Sequence, residues 1–185
     1  MQNGNATQPD ASQVSKGAGE KALRRATTAD VATIRDLTRA AYAKWVPLLG
    51  RESRPMTADY EAAIRNHLID LLRMDGEAAA LIEMVPSVDH LLIVNIAVAP
   101  GHRGRGFGRV LMAHAEDVAR SLNLSEMRLY TNALFAENIR FYGRLGYRVD
   151  REEEHVQFGV TVYMSKRLDN ADAAAKDHSS SRTSP

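Results

Sequence analysis

Between residues 21 and 168 the apolar positions fall into blocks whose spacing alternates between a period near two and a period near three and a half, the marks of strand and helix. Residues 21–26 read as a short strand. Thr27-Thr28-Ala29-Asp30 then offers side-chain oxygens to cap a helix from about Val31 to Trp45, which Pro47 and Gly50 are expected to end. After a loop over 51–56, Thr57 is the expected N-cap of a helix running through Ile64 to about His67. Residues 69–74 and 78–85 flank Asp75-Gly76, a pair that tolerates positive φ and predicts a hairpin. Residues 86–89 predict another turn.

Residues 91–98 are almost wholly apolar, with Asn95 the single polar interruption, and predict a central strand covered on both faces. Pro100-Gly101 ends it. From Phe107 onward Val110, Leu111, Ala115, Val118 and Leu122 keep helical spacing, while Arg109, Glu116, Asp117 and Arg120 take the other face. Residues 127–131 alternate as a strand, 136–145 carry Ile139, Tyr142 and Leu145 at helical spacing closed by Gly146, and 156–168 supply late strand. The order predicts an α/β (α+β) chain, with a strand, turn, helix, strand unit at its centre.

Composition narrows the possibilities. The 185 residues predict a single domain, and residues 1–20 and 169–185 lack the large apolar side chains needed to offset chain ordering, so both are expected to be disordered tails around a folded part, 21–168. A formal charge of +1 argues against nonspecific adhesion to nucleic acid or membrane. The count of zero Cys excludes disulfides, thiolate metal sites and a covalent acyl-cysteine route. With no apolar run long enough to span a bilayer and no leader pattern in the first 20 residues, the expected location is the cytoplasm, as a monomer or homodimer. No HExxH, Cys/His zinc spacing or GxSxG elbow occurs, so no metal is expected.

The segment richest in chemistry joins the strongest strand to the strongest helix: Pro100-Gly101-His102-Arg103-Gly104-Arg105-Gly106-Phe107-Gly108-Arg109. Glycines at every second position let the main chain curl with its N–H groups inward, and the helix that follows adds its own free N–H groups and positive dipole end. Arg103, Arg105 and Arg109 add positive charge, so the turn reads as an anion cradle. A dinucleotide fingerprint starting at Gly104 fails because Arg109 stands where glycine is required, and a P-loop starting at Gly101 fails because Phe107 replaces its lysine. Arg103-Gly104-Arg105-Gly106-Phe107-Gly108 instead resembles the acyl-CoA-binding motif of the GNAT N-acetyltransferase superfamily. That resemblance implies a central, mostly antiparallel sheet flanked by helices, with acetyl-CoA as donor. Its diphosphate would sit on residues 103–109 and its pantetheine arm beside the backbone of Ile96, Ala97 and Val98.

A second match lies downstream, where Asn138, Phe141-Tyr142 and Leu145-Gly146-Tyr147 are similar to the family's later motif. Asn138 and Tyr142, four residues apart, share one helix face and can address one ligand. The resemblance implies cofactor contact for both and, for Tyr142, the role of the acid that protonates the CoA sulfur; a phenol is protonated at neutral pH and can do so. The carboxylate some relatives carry before the Asn of the central strand is replaced by Val94, leaving Glu83, His90 or a water held by Asn95 as candidate bases. The first two helices, the loop over 51–56 and the late strands are expected to form the amine acceptor side, with Tyr42, Trp45, Met56, Tyr60 and Asn95 as its candidate residues. The function implied is transfer of an acetyl group from acetyl-CoA to a primary amine of a small molecule or peptide by direct attack in a ternary complex. A noncatalytic acyl-CoA-binding sensor module is the alternative, and nucleic-acid binding by the arginine turn a third, which salt-sensitive affinity would reveal.

Overall fold

A computed structural model of the chain describes residues 20–169. The two tails expected from composition lie outside the described residues, apart from Glu20 and Asp169. The architecture is the expected mixed α/β one: a seven-stranded sheet in the order β1-β2-β3-β4-β5-β7-β6 with helices on both faces. The strands are β1 (Lys21–Arg25), β2 (Leu68–Met74), β3 (Glu77–Pro86), β4 (Leu91–Val98), β5 (Glu126–Asn132), β6 (Arg148–His155) and β7 (Gly159–Arg167). All neighbours pair antiparallel except β4 and β5, whose parallel pairing requires a crossover through a helix on one face of the sheet.

The helices are α1 (Val31–Tyr42), α2 (Val46–Leu49), α3 (Tyr60–Asn66), α4 (Phe107–Ser121) and α5 (Ala136–Arg144). On one face of the sheet, Ile34, Leu37 and Ala41 of α1 and Tyr60 and Ala63 of α3 pack on Ile69, Leu71, Leu81 and Ala97. On the other, Phe107, Leu111, Met112, Ala115 and Ala119 of α4 and Tyr142 of α5 cover Leu72, Ile82, Leu91, Ile93, Met127 and Leu129. Removing these side chains from water is the main force holding the layers together.

Four details correct the sequence reading. The first helix does not stop at Pro47: it tightens to a 3₁₀ turn over Ala43–Trp45, and Pro47 then sits in the first turn of α2, where a missing N–H costs nothing; Gly50, at φ 68°, ends that helix. Thr57 closes a 3₁₀ turn, and α3 is capped by Asp59, whose Oδ1 accepts the Ala62 N–H at 3.0 Å. Strand β6 is additional, and the late strand begins at Gly159 rather than at 156. The hairpin turn has the expected conformation, with φ of 51° at Asp75 and 81° at Gly76.

Asn95 has a structural cause for its place in an apolar strand. Ile93 pairs with Met84 and Asn95 with Glu83, so Val94 is an extra residue, a bulge that reverses which face the following side chains take. Leu91 and Ile93 point toward α4, whereas Asn95 and Ala97 lie against α1 and α3.

Candidate active site

The same bulge marks the point where the sheet opens. Strands β4 and β5 pair only from Leu91↔Met127 to Ile93↔Leu129, while β4 stays bonded to β3 as far as Val98 and β5 to β7 as far as Asn132. A wedge-shaped gap therefore separates residues 94–98 from 130–132. Two cavities of about 370 Å³ each enter this region, and Tyr42, Ile96, Asn138 and Tyr142 line both. One also takes in Ala97, Val98, Arg103, Gly108 and Phe141, on the side of the glycine turn. The other takes in Arg51, Ser53, Arg54, Tyr130, Thr131, Phe135, Phe158 and Tyr163.

The glycine turn curls with its backbone N–H groups from Gly104 onward unpaired among the described residues. Gly104 and Gly106 adopt φ of 73° and 80°, a left-handed conformation that a side chain resists, and Gly106 is the N-cap of α4. Among the described residues, the backbone N–H groups of 104–109 find no protein acceptor. Together with the dipole of the fifteen-residue helix, they present a concentrated positive potential. The three arginines differ in what they do. Arg103 donates from Nη2 to the Ala41 carbonyl at 2.7 Å and so ties the turn to the end of α1. Arg105 stacks over Phe107, 5.3 Å from its ring centroid, and lies 3.0 Å from His102 Nδ1. Arg109 is exposed on the first turn of α4. Gly108 has a packing reason: a Cβ there would lie 3.2 Å from Phe141 Cζ, on the wall of the adjoining cavity.

Tyr142 stands at the junction of the two cavities and is only 5% exposed, held by the rings of Phe141 and Tyr147 at 5.2 and 6.0 Å. Among the described residues its hydroxyl has no hydrogen-bond partner. Burial pushes its pKa well above the ordinary phenol value, so it keeps its proton throughout the neutral range. Asn138, one helical turn earlier, shares the junction.

Asn95 is spent on structure. Its Oδ1 accepts from the Tyr42 hydroxyl at 3.0 Å, and its Nδ2 donates to Tyr60 Oη at 3.2 Å and Thr38 Oγ1 at 3.4 Å. The Tyr60 hydroxyl donates a hydrogen bond to the Pro55 carbonyl at 2.7 Å, and burial raises its pKa to about 12. This network fixes Tyr42 at the junction and the loop around Pro55 over the opening lined by Arg51 and Arg54; it leaves the Asn95 amide no donor for a water. Trp45 lines the cavity on the side of the glycine turn and stacks on Phe135 at 4.4 Å, with Lys44 paired to Glu137 at 2.8 Å beside it. Met56, expected on the acceptor side, is 6% exposed and is not among the residues lining either cavity.

The three candidate bases fall in different places. Glu83, 4% exposed, lines a third cavity of about 300 Å³ that adjoins the opening lined by Arg51 along Arg54, Pro55, Val94, Asn95 and Tyr130. Its Oε1 lies 2.6 Å from Nδ1 of His67, which lines the same cavity. His90 is paired with Asp89 at the far end of β4, about 16 Å from Asn95 at strand rise. Nothing local in the sequence singles out His67, yet the hairpin register pairs Ile69 with Glu83 and so brings His67 to that carboxylate. The late segment 156–168 contributes Phe158 and Tyr163 to the opening lined by Arg51, whereas Tyr130 and Phe135 escape a reading of the sequence because their place follows from the wedge; Asn132 holds the β6–β7 turn through the Phe158 carbonyl at 2.8 Å.

Comparison with known proteins agrees with this geometry. Residues 31–147 match the Acetyltransferase (GNAT) family. Streptothricin acetyltransferase of Streptomyces lavendulae is 41% identical over 75 residues, so the match spans 40% of this chain and 40% of that protein. A Thermoplasma acidophilum N-acetyltransferase in complex with coenzyme A shares the fold at TM-score 0.64 and 17% identity, over 80% of this chain and 99% of that one. A nourseothricin acetyltransferase does so at TM-score 0.63 and 20% identity, over 80% and 99%. An antiparallel sheet parted beside a glycine turn, with a family match running from α1 through Tyr147, makes this chain a member of the GNAT acetyltransferase family.

Proposed function

We propose that the protein transfers the acetyl group of acetyl-CoA to a primary amine of a small molecule or peptide by direct attack in a ternary complex. The observation that carries this reading is the meeting of two openings at Tyr142, one running from the amide-rich turn and one from the other side of the sheet gap. Residues 103–109 would hold the diphosphate, residues 96–98 the pantetheine arm, and Asn138 the region near the thioester. In the reaction the amine nitrogen forms a bond to the acetyl carbon, the carbon–sulfur bond breaks, and the nitrogen gives up a proton. Tyr142 supplies a proton to the departing thiolate and regains one from solvent, a role suited to a phenol that burial keeps neutral. Holding both reactants at one junction supplies much of the rate enhancement, since the reacting atoms no longer have to find one another.

The proton leaving the amine goes to the Glu83–His67 pair, whose cavity adjoins the acceptor opening through Val94 and Asn95. That arrangement substitutes for a carboxylate at Val94. The replacement at Val94 also motivates a second reading, a noncatalytic module that binds acyl-CoA. An assay of thiol release over a panel of amines, streptothricin among them because of the relative above, separates the two. Thiol release with at least one amine supports transfer, whereas acetyl-CoA binding with no release over the whole panel assigns the protein to the second reading.

A further inference from the structure

The cavity on the far side of the sheet gap from the glycine turn has an unbalanced charge. Arg51, Arg54 and His155 line it, and no Asp or Glu does. Among the described residues neither arginine is paired with a carboxylate: Arg51 donates to the Glu52 carbonyl at 3.0 Å, and the Arg54 guanidinium has no hydrogen-bond acceptor. Both are held in place by one ring, their Cζ atoms standing 5.0 and 4.7 Å from the centroid of Phe158. Between them in sequence, Ser53 is 6% exposed and its hydroxyl has no partner. The nearby acids are taken elsewhere: Glu83 by His67, Glu52 by Arg39, and Glu153 by Arg151 at 2.6 Å, with His155 at 3.7 Å from the same Glu153 side chain.

We infer that Arg51 and Arg54 bind an anionic group of the acceptor, so that the preferred acceptor is an amine that also carries a carboxylate. Guanidinium groups are planar donor forks matched to carboxylate oxygens, and two of them stacked on an aromatic ring are already oriented, which reduces the ordering cost on binding. The remaining lining, with Tyr130, Phe135, Phe158 and Tyr163, favours an acceptor whose body is flat or apolar. A polycationic amine would bring its charge to a cavity that already holds two positive charges and offers no carboxylate, an arrangement that disfavours it. The role of acceptor rests on the transferase reading; the recognition of the anion does not.

The test uses the full chain with α-amino and ω-amino acids, each paired with its carboxamide, and spermidine as a purely cationic amine. Thiol release is measured for each, and calorimetry in the presence of coenzyme A measures binding of the N-acetylated acids and their amides. We expect at least one acid to exceed its carboxamide by about ten- to hundredfold in kcat/KM, chiefly through KM. The preference should vanish in the Arg51→Gln/Arg54→Gln double variant and shift toward amides and spermidine in Arg54→Glu, with unchanged coenzyme A affinity showing that both variants are folded. Turnover of spermidine or the carboxamides ahead of every acid, or an acid preference that survives the double variant, overturns the inference and leaves the transferase reading intact. Arginine-dependent binding of the acetylated acids without any thiol release sustains the inference while removing the transferase reading. No binding and no turnover of any acid overturns the inference.

Discussion

Tyr142 and Asn95 show how much a single side chain decides at this junction. A buried phenol with a raised pKa stays protonated, and the proton donation proposed for Tyr142 would be lost only as pH rises through that folded value. Turnover should therefore rise with pH as the amine loses its proton and show no descending limb below about pH 10, the ordinary phenol pKa. Tyr142→Phe should lower kcat about a hundredfold with little change in coenzyme A affinity, and an unchanged kcat would make the residue a packing element. Glu83→Gln should lower kcat and leave the KM for acetyl-CoA unaltered, whereas equal changes in both would place Glu83 outside proton transfer. Tyr142 was legible as a helix-face residue beside Asn138, because a four-residue spacing needs no tertiary information. His67 was not, because its meeting with Glu83 depends on strand register.

At the scale of elements, the glycine turn and helix α4 act together. Gly106 is the N-cap of α4 at φ 80°, and the space beside its α-carbon is open, so Gly106→Val would strain the backbone and fill the approach to the N–H groups. Its expected result is at least a tenfold weaker coenzyme A affinity, read by calorimetry, with the far-ultraviolet spectrum preserved; about 1–2 kcal/mol of left-handed strain would accompany it. The turn, the Asp75-Gly76 hairpin and α4 were all visible in the sequence because local geometry determines them. Strand β6 was invisible because Arg148–His155 carries four acids and a single aliphatic residue, Val149; as an edge strand it needs no buried face, and only pairing to β7 makes it a strand. The Val94 bulge was equally hidden, since it is a property of two strands in register and leaves no mark on the hydrophobic run itself.

Across the whole molecule, the β1 edge of the sheet is tied to the turn before α1 by an ion pair that responds to acid. Arg24 binds both carboxylate oxygens of Asp30 at 2.8 and 2.6 Å, and this pairing holds the Asp30 carboxyl well below the usual carboxylate range despite its burial. A depressed folded pKa stabilises the protein fully above the unfolded value of about 3.9, and the contribution disappears as pH falls below it. Asp30→Asn should cost about 1–3 kcal/mol near neutrality, and the difference in Tm from the wild type should close as pH is lowered toward 2. A gap that persists in acid would mean that packing, and not charge, is lost.

The parting of β4 from β5 bears on how the protein persists in a cell. Alternate main-chain groups of residues 94–98 face an opening where a neighbouring strand would normally satisfy them, so the resting fold is one strand short at its middle. Coenzyme A laid along that edge, as proposed, would supply those groups with partners, and a hundredfold excess over its dissociation constant would add about 2.7 kcal/mol to stability. The lifetime of this protein against a nonspecific protease should then lengthen with added coenzyme A, whether acetylated or free, if the cofactor takes the proposed place.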